Sequence, residues 1–293
     1  MIVGLDVGGT KILGLAVDEH GGVHDELRMP TPDDPRELVD ALCDLATQLV
    51  ERPAAVGIGI AGLIGHDGRV RVSPHLVRPE ELDIIGVLTR ALGVPVTIDN
   101  DANAAAWGEA RVGAARGVDH MVFVTLGTGI GSGIVVNGRL VRGANGFGGE
   151  AGHMVVDRRG ATHVTGLPGA WEMYGSGSAL DEMTRAAGVG ESGEDLHQKL
   201  LEGDDAAFAV LDRYAWEVAV GVANLLTVLD PHLVVLGGGV SEIGEPLRAA
   251  VERHLPSLLI GASLRAETRV ALAQLGERAG AIGAALLATE LVS

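Results

Sequence analysis

A glycine-rich turn near the start of the chain carries groups suited to holding phosphate. The segment Asp6–Lys11 brings a carboxylate, two consecutive glycines, the hydroxyl of Thr10 and an ammonium group into one turn. Phosphoryl transfer requires donors or positive charge on the transferring oxygens, and a carboxylate that reaches Mg²⁺ directly or through water. The segment contains all of these groups and therefore predicts a phosphate site.

A second glycine-rich segment, Gly127–Gly133, superficially matches a dinucleotide-binding fingerprint. That fingerprint requires a helix directly after the loop, because the helix N-terminus holds the pyrophosphate. Here the apolar run Ile134–Val136 and an Asn-Gly turn follow instead, which predicts a β-hairpin. Open backbone N–H groups of such a hairpin, with the hydroxyl of Thr128, can bind phosphate oxygens. One such hairpin could be an ordinary turn, but two in one chain favour phosphate binding.

Asp99, Asn100 and Asp101 stand between an extended apolar segment and a helical pattern. Asp and Asn are favoured as N-caps, so a structural role at the helix start is one interpretation. A carboxylate at a helix N-terminus also stays ionised and can accept a hydroxyl proton, with Asn100 beside it to hydrogen-bond hydroxyls. The segment alone leaves both interpretations open.

Glu150 and His153 form another polar pair, three residues apart. Carboxylate and imidazole are both metal ligands, and both also hydrogen-bond the hydroxyls of a polyol. The spacing does not separate a metal pair from a polyol-binding pair or from a purely structural one.

The secondary structure predicted from periodicity and glycine punctuation begins twice in the same way. Each half opens with strand, Gly/Thr loop, strand, turn and strand, the first from Ile2 and the second from Met121. We therefore expect an α/β fold of two related domains around a cleft: an N-terminal domain over 1–115, with the C-terminal helix of 278–293 packed on it, and a C-terminal domain over 116–277. The predicted strands are Ile2–Asp6, Ile12–Val17, Val23–Arg28, Ala55–Ile60, Val94–Ile98, Met121–Leu126, Ile134–Val136, Leu140–Arg142, Leu233–Leu236 and Val270–Leu275. The predicted helices are one that begins at Pro35, then Ala102–Val112, Ala179–Ala187, Gly193–Leu201, Asp204–Leu229, Leu247–His254 and Arg278–Leu291.

Composition and charge narrow the class of protein. Of 293 residues, 47% are hydrophobic but only 3% aromatic, so the core consists mainly of Val, Leu, Ile and Ala. The 44 glycines indicate many tight turns or close backbone approaches. A formal net charge of −17 argues against binding to nucleic acid. Without a leader pattern or a membrane-length apolar run, we expect a cytoplasmic protein with no membrane partner. The single cysteine, Cys43, is interpreted as a packing residue.

Taken together, these motifs resemble the ROK family of sugar kinases, specifically its bacterial glucokinases, over essentially the whole chain. The resemblance implies an actin-like, hexokinase-like (ribonuclease H-like) fold that closes over a hexose and ATP with Mg²⁺, and it implies a homodimer. Six segments carry it, in the family's order: Leu5–Lys11, Asp99–Ala106, Leu126–Gly133, Gly143–His153, Leu236–Ser241 and Ala279–Ala285.

The resemblance also implies roles for individual residues. Asp101 would be the general base that accepts the proton of the sugar 6-hydroxyl as this hydroxyl attacks the γ-phosphorus. The sugar would be held by Asn100, Asp101, Glu150, His153 and Glu172. The phosphates of ATP would be surrounded by Asp6, Gly8, Gly9, Thr10, Lys11, Gly127, Thr128, Gly129, Gly237 and Gly238, with Mg²⁺ near Asp6.

One departure from the family pattern concerns a structural zinc site. The family usually has a histidine followed by three cysteines, and here the aligned positions are His153, His163, Thr165 and Ala170. The two histidines are the only remnants. A structural zinc site normally needs four nitrogen or sulfur ligands. We therefore expect no zinc, and a loop held by packing and hydrogen bonds around Trp171.

Several alternatives stay open at this stage. A polyphosphate-dependent glucokinase is disfavoured by the net charge, and a kinase for fructose, mannose or N-acetylmannosamine shares the same motifs. A sugar-responsive repressor of the family would carry a DNA-binding domain ahead of the first phosphate motif, which here starts at Asp6. A non-catalytic sugar-binding relative is disfavoured by the joint presence of Thr10, Asp101 and Thr128.

Overall fold

Two five-stranded β-sheets with associated helices organise the chain in a computed structural model that describes residues 1–32, 34–74, 82–265 and 269–292. The strands are β1 (Ile2–Val7), β2 (Lys11–Val17), β3 (Val23–Pro30), β4 (Val56–Ile60), β5 (Leu63–Ile64), β6 (Val70–Val72), β7 (Val96–Asn100), β8 (Met121–Leu126), β9 (Ile130–Val136), β10 (Arg139–Leu140), β11 (Leu233–Gly237) and β12 (Arg269–Leu272). The α-helices are α1 (Pro35–Leu49), α2 (Ile84–Leu92), α3 (Asp101–Val112), α4 (Glu172–Gly175), α5 (Gly177–Ala186), α6 (Gly193–Leu201), α7 (Asp205–Leu229), α8 (Glu245–Leu258) and α9 (Ala279–Thr289). Among the described residues, none of these helices has both the length and the apolar character needed to span a bilayer.

The first sheet has the strand order β3-β2-β1-β4-β7. β2 is antiparallel to both of its neighbours, whereas β4 lies parallel to β1 and β7 lies parallel to β4. Helices α1, α3 and α9 pack against these strands. All five residues of β4 are buried, as is typical of parallel strands covered by helices.

The second sheet repeats this arrangement in the order β10-β9-β8-β11-β12. β8, β11 and β12 are parallel, and an antiparallel hairpin stands at the opposite edge. The turn between β1 and β2 contains Gly8–Thr10, and the turn at the same place in the second sheet contains Gly127–Gly129. The predicted α/β fold with two related halves is therefore confirmed.

Some elements differ from the sequence-based prediction. β9 begins at Ile130, inside the segment predicted as a long glycine loop, because Gly127 N–H donates to Gly129 O at 3.0 Å and closes a tighter turn. Helix α2 was missed, although Asp83 caps its N-terminus and Gly93 ends it with a left-handed φ of 69°. These two flanking residues are the signals that could have identified it.

The described chain separates by its internal packing into two compact units. Unit 1 comprises 1–117, 133–149 and 274–293, and unit 2 comprises 118–132 and 150–273. Ser293, at the end of the predicted C-terminal helical segment, lies outside the described residues.

The segment 133–149 groups with unit 1, whereas the sequence-based boundaries place it in the C-terminal domain. Its close approach to α3 explains this grouping. Gly133 lies so near Ala106 that a side chain at 133 would collide with it. Further along the segment, the guanidinium Nε of Arg142 donates to Asp99 Oδ2 at 2.6 Å. Contacts of this kind are not visible in local sequence patterns.

Helix α9 is buried on all sides and touches its neighbours through backbone atoms. Ten of its eleven residues are buried, from Ala279 to Ala288. Gly4 of β1 and Gly57 of β4 have no room for a Cβ, which would collide with carbonyl groups of α9. Gly283 of α9 meets the carbonyl of Ala104 in α3 in the same way. Part of the glycine excess therefore permits main-chain contact between a helix, a sheet and a second helix.

Cys43 lies in α1 and packs, partly buried, against the core of unit 1. Burial raises the pKa of its thiol. Because the thiolate is the reactive form, this environment suits a packing residue rather than a nucleophile.

We predict that Gly57→Ala destabilises the protein strongly, by about 3 kcal/mol or more, because the obstructing atom is the backbone carbonyl oxygen of Ala284. Equilibrium unfolding in denaturant measures the effect. Gly239→Ala is the matched control, since no atom lies within 4 Å of a Cβ at 239, and it should change stability by no more than about 0.5 kcal/mol. Equal stabilities for the two variants would contradict the packing argument.

Candidate active site

Two carboxylates of unit 1 lie next to Gly59. A Cβ at position 59 would be 3.5 Å from the Cα of Asp101 and 3.7 Å from Oδ1 of Asp6. Asp6 belongs to β1, and Asp101 begins α3 directly after β7. Because β1, β4 and β7 are parallel neighbours, their carboxyl ends meet at one edge of the sheet. The fold therefore brings the first predicted phosphate motif and the predicted base together.

Asp6 is held in surroundings that favour its neutral form. Its carboxyl group rests on Gly280, in the first turn of α9, where a Cβ would be 2.8 Å from Cγ of Asp6. Burial, followed by the charge of Asp101, raises the pKa of Asp6 to about 7, while Lys11 acts in the opposite direction. Two carboxylates placed in this way do not readily ionise together. A bound cation would remove the penalty.

Asn100, rather than an aspartate, caps α3. Its Oδ1 accepts from Asn103 N at 3.0 Å, and its Nδ2 donates to Gly62 O at 3.1 Å. Asp101 occupies the first turn of the helix, where one carboxylate oxygen accepts from Ala102 N at 2.9 Å. The capping role that the sequence left open thus falls to Asn100, and the carboxylate of Asp101 lies at the positive end of the helix dipole.

Asp99 is a buried carboxylate that organises this corner. Its Oδ1 accepts from Asn100 N at 2.8 Å and from Asn103 Nδ2 at 3.0 Å, and its Oδ2 accepts from Arg142 Nε at 2.6 Å. Both oxygens are therefore paired, as a buried carboxylate requires. These bonds fix the backbone on either side of the predicted base.

Lys11 pairs with a carboxylate that the sequence analysis did not identify. Its Nζ lies 3.0 Å from Oε2 of Glu277, whose Oε1 lies 2.5 Å from Nη2 of Arg28. The hydrogen bonds from Arg28 and then from Lys11 lower the pKa of Glu277 to about 2. All three side chains are largely exposed, so solvent and salt weaken these pairs. No local pattern could reveal Glu277, because 266 positions separate it from Lys11.

Unit 2 contains a cavity of about 610 Å³ beside its own glycine hairpin. The N-terminus of α5 is tied to this hairpin, since Gly177 N donates to Gly127 O at 2.7 Å and Ser178 Oγ donates to Thr128 O at 2.8 Å. The N–H of Ala179 donates to the capping Ser176 Oγ at 3.2 Å, so the attraction of this helix N-terminus for anions comes mainly from its dipole. The polar side chains that line the cavity are Thr128, Ser178, Asp181, Ser192, Glu194, His197 and Glu242.

Gly237 and Gly238, which are predicted to lie near the nucleotide, are closely packed in the structure. A Cβ at Gly237 would be 2.6 Å from the ring of Phe123, and one at Gly238, which has a φ of 80°, would be 2.5 Å from Leu126 O. The cavity wall is formed by the next two residues, Gly239 and Val240. The motif thus shapes the cavity from one or two positions further along the chain.

Glu150 and His153 lie at the start of the long loop that precedes α4. His153 Nε2 is 3.8 Å from Glu150 Oε2. Its other ring nitrogen, Nδ1, is buried and has no hydrogen-bond partner among the described residues. The ring of His163 lies nearby, with 5.4 Å between the two ring centroids.

Glu172 joins this loop to the glycine hairpin of unit 2. Its Oε2 accepts from Ile130 N at 2.7 Å, and its Oε1 lies 2.9 Å from Nε2 of His163. Gly129 packs directly on the carboxylate, because a Cβ at 129 would collide with Oε2. The structure therefore brings the predicted residues of unit 2 from the hairpin and from the loop into one group.

The residues near His153 do not fit a structural zinc ion. The orphaned Nδ1 of His153 is one donor, but both ring nitrogens of His163 are engaged, with Thr165 and with Glu172. Within the part of the chain that the structure describes, no group of three or more His, Cys, Asp or Glu is arranged to hold a metal ion. Because structural zinc takes four nitrogen or sulfur ligands, the donor set falls short.

Comparison with known proteins shows what the chain is similar to. The ROK family profile matches residues 2–291. A glucokinase of Streptomyces coelicolor is 33% identical over 311 aligned positions, which cover 99% of this chain and 98% of the relative. The crystal structure of a ROK family glucokinase from Streptomyces griseus in complex with glucose and AMPPNP is 35% identical, with a TM-score of 0.87 and 99% of each chain covered. A ROK hexokinase from Thermus thermophilus is 34% identical, with a TM-score of 0.83 and coverage of 99% and 98%.

The repeated sheet order and the two glycine hairpins define an actin-like, hexokinase-like α/β protein with two domains. Within that class, the chain belongs to the ROK family. The resemblance inferred from the six sequence segments is thereby confirmed.

The raised pKa of Asp6 predicts a pH dependence of stability. Between about pH 4 and pH 7 the unfolded chain releases the Asp6 proton while the folded protein keeps it, so the free energy of unfolding falls as the pH rises. Asp6→Asn mimics the neutral acid. This variant should match the wild type in stability near pH 4 and exceed it by a few kcal/mol above about pH 7, as measured by denaturant unfolding at several pH values.

Asp18 offers a control of opposite sign. Hydrogen bonds from His24 and from the backbone lower its pKa to about 2, so its ionised form stabilises the fold above about pH 4, and this contribution is lost on acidification. Asp18→Asn should therefore lose stability relative to the wild type as the pH rises. A stability difference for Asp6→Asn that does not change with pH would refute the electrostatic assignment.

Proposed function

We propose that this protein is an ATP-dependent glucokinase, which transfers the γ-phosphoryl group of ATP to the 6-hydroxyl of glucose. The main supporting observation is the position of Asp101 at the start of α3, beside Asp6. It occurs in a chain that is 33% and 35% identical to two Streptomyces glucokinases over nearly its whole length. Positioning and electrostatics dominate catalysis of phosphoryl transfer, and this arrangement supplies both.

Asp101 acts as the general base. Its hydrogen bond from Ala102 N orients the carboxylate, which lies at the positive end of the helix dipole, where negative charge is stabilised. It accepts the proton of the sugar 6-hydroxyl while the hydroxyl oxygen forms a bond to the γ-phosphorus and the bond to the bridging oxygen of ADP breaks. The proton then leaves Asp101 for solvent as the sugar phosphate departs.

Asp6 is the residue that would hold Mg²⁺, directly or through water. Carboxylate and phosphate oxygens are the ligands that Mg²⁺ prefers, and one or two carboxylates per ion are usual, so the pair formed by Asp6 and Asp101 fits this cation. When bound, the ion would neutralise charge on the phosphate oxygens. Thr10 and the backbone of Gly9 provide further donors at the same turn, where residues 9 and 10 are exposed. The N–H of Gly8 closes this turn by donating to Lys11 O at 3.0 Å.

The nucleotide is assigned to the cavity of unit 2. Its volume of about 610 Å³ lies in the range of small-molecule sites, and the positive end of the α5 dipole lies beside the Gly127–Gly129 turn, where it favours phosphate. Three carboxylates, Asp181, Glu194 and Glu242, stand in its lining, and no Lys or Arg of the described residues does. Carboxylates can accept hydrogen bonds from ribose hydroxyls, whereas they repel a long polyanion. The lining thus favours ATP over polyphosphate.

The family resemblance assigns the sugar hydroxyls to Asn100, Asp101, Glu150, His153 and Glu172. These side chains carry both donors and acceptors, as recognition of a polyol requires. We also propose that the protein contains no structural zinc. We further propose that it is cytoplasmic and forms a homodimer; the homodimer rests on the family resemblance alone.

Asp101→Asn should lower kcat by about two to four orders of magnitude, because the amide cannot accept the hydroxyl proton. A coupled assay of ADP formation measures turnover, and circular dichroism verifies the fold. Asp34→Asn is the matched control. Asp34 caps α1 in the same unit, accepting from Arg36 N and Glu37 N, so its replacement should leave kcat unchanged. Near-normal turnover of Asp101→Asn would refute the assignment of the base.

Substrate choice is tested by one screen with two phosphoryl donors. Glucose, mannose, fructose, N-acetylglucosamine and N-acetylmannosamine are each offered with ATP-Mg²⁺ and with polyphosphate. The highest kcat/KM is expected for glucose with ATP, since the acidic lining of the cavity disfavours polyphosphate. A higher kcat/KM for another sugar, or for polyphosphate, would overturn that part of the proposal.

A further inference from the structure

His163 stands in the middle of a hydrogen-bonded chain that joins the 153–172 loop to the glycine hairpin of unit 2. Its Nδ1 is 2.8 Å from Thr165 Oγ1, and its Nε2 is 2.9 Å from Glu172 Oε1. The other oxygen of Glu172 accepts from Ile130 N at 2.7 Å. We propose that His163, at a position where the family usually has a zinc-binding cysteine, is a positioning residue that fixes the Glu172 carboxylate for the sugar. The inference rests on the proposed function insofar as that function assigns Glu172 to the sugar.

The hydrogen bonds define which ring nitrogen of His163 carries the proton. The backbone N–H of Thr165 donates to Nδ1 at 3.3 Å, and because a backbone N–H can only donate, Nδ1 acts as an acceptor. The proton of the neutral ring is then on Nε2, directed at Glu172. Only 11% of the His163 side chain is exposed, so water competes little for this charge-assisted bond.

The backbone of the loop is held independently of the His163 side chain. Trp171, at its end, is fully buried, donates from Nε1 to Glu217 O at 2.9 Å, and lies against Gly221, where a Cβ would collide with the indole ring. Backbone pairs within the loop are His163 N to Leu167 O, Gly169 N to Ala161 O, Val156 N to Gly169 O and Trp171 N to Met154 O, at 2.7 to 2.9 Å. The path of the chain is therefore set by these contacts, and the specific contribution of His163 is the orientation of one carboxylate.

Glu172 in turn contacts the glycine hairpin of unit 2 at two places. It fills the space beside Gly129, where a Cβ would collide with Oε2, and it is the acceptor for Ile130 N. If His163 no longer donated to Oε1, the carboxylate could rotate away from the hairpin, and Ile130 N–H would lose its partner. The protection of this one amide therefore reports the position of Glu172 without any assay of activity.

The test compares four variants of the full chain. His163→Ala removes the donor, whereas His163→Gln places an amide N–H at about the reach of Nε2. His163→Asn carries the same amide one methylene shorter, at about the reach of Nδ1. Val164→Ala is the loop control, because Val164 is 96% exposed. Two readouts are taken: hydrogen exchange at the Ile130 amide, and KM and kcat for glucose.

We expect the Ala and Asn variants to exchange the Ile130 amide about tenfold faster or more, and to raise the KM for glucose by a similar factor with a smaller change in kcat. The Gln variant should retain most of the wild-type behaviour, and Val164→Ala all of it. Unchanged exchange and KM in His163→Ala, or a Gln variant no better than the Asn variant, would overturn the proposal. If the exchange pattern is as expected but the wild type phosphorylates no sugar, the orienting contact stands and the proposed function fails.

The absence of structural zinc is tested on the same protein. Wild type grown with added zinc should contain no stoichiometric zinc, and chelator should leave its thermal midpoint unchanged, because both ring nitrogens of His163 are engaged and the loop offers too few nitrogen or sulfur ligands. One zinc ion per chain, together with a midpoint that drops on chelation, would overturn this part of the inference.

Discussion

Main-chain contact between α9 and its neighbours is the constraint on which the arrangement of unit 1 depends. The helix approaches β1 at Gly4, β4 at Gly57 and α3 through its own Gly283, and in each place a Cβ would meet a carbonyl group. Packing through backbone leaves little freedom, because no side chain can adjust its rotamer to absorb a shift. Asp6 and Asp101 project from these same elements, so their positions follow from the backbone.

Burial of acidic groups gives the chemistry its character. Asp6 is kept partly neutral near physiological pH by enclosure and by its acidic neighbour, and Asp99 is satisfied by three donors. The desolvation penalty of a buried carboxylate is offset only when a cation or hydrogen-bond donors contact it. Lys11, in contrast, is exposed and already paired with Glu277, so under the proposed function a phosphate group would compete with this carboxylate for the Lys11 ammonium group. Asp6, at one end of the first motif, is therefore enclosed, whereas Lys11, at the other end, is exposed and already engaged.

The sequence predicted the fold class and most elements, because hydrophobic periodicity and glycine punctuation are local properties. It also predicted that Asp101, the proposed base, stands at the start of a helix, where the structure has it. It could not predict which residue would cap that helix, since Asn100 and Asp101 are chemically equivalent candidates in isolation. Long-range partners such as Glu277 and Arg142 were missed for a different reason: their contacts depend on how distant segments meet. The sequence indicates His163 only as a remnant of a metal site, because its hydrogen bond to Glu172 depends on how the loop folds.

The absence of cysteine from the 153–172 loop has a consequence for the life of the protein under oxidative stress. Zinc-binding thiolates are nucleophilic and are attacked by peroxide and electrophiles, which release the metal and loosen the loop. Here the corresponding positions hold His163, Thr165 and Ala170, none of which is a thiol. The remaining sulfhydryl, Cys43, is partly buried with a raised pKa. Sugar phosphorylation by this protein would therefore not depend on the redox state of thiols in this loop.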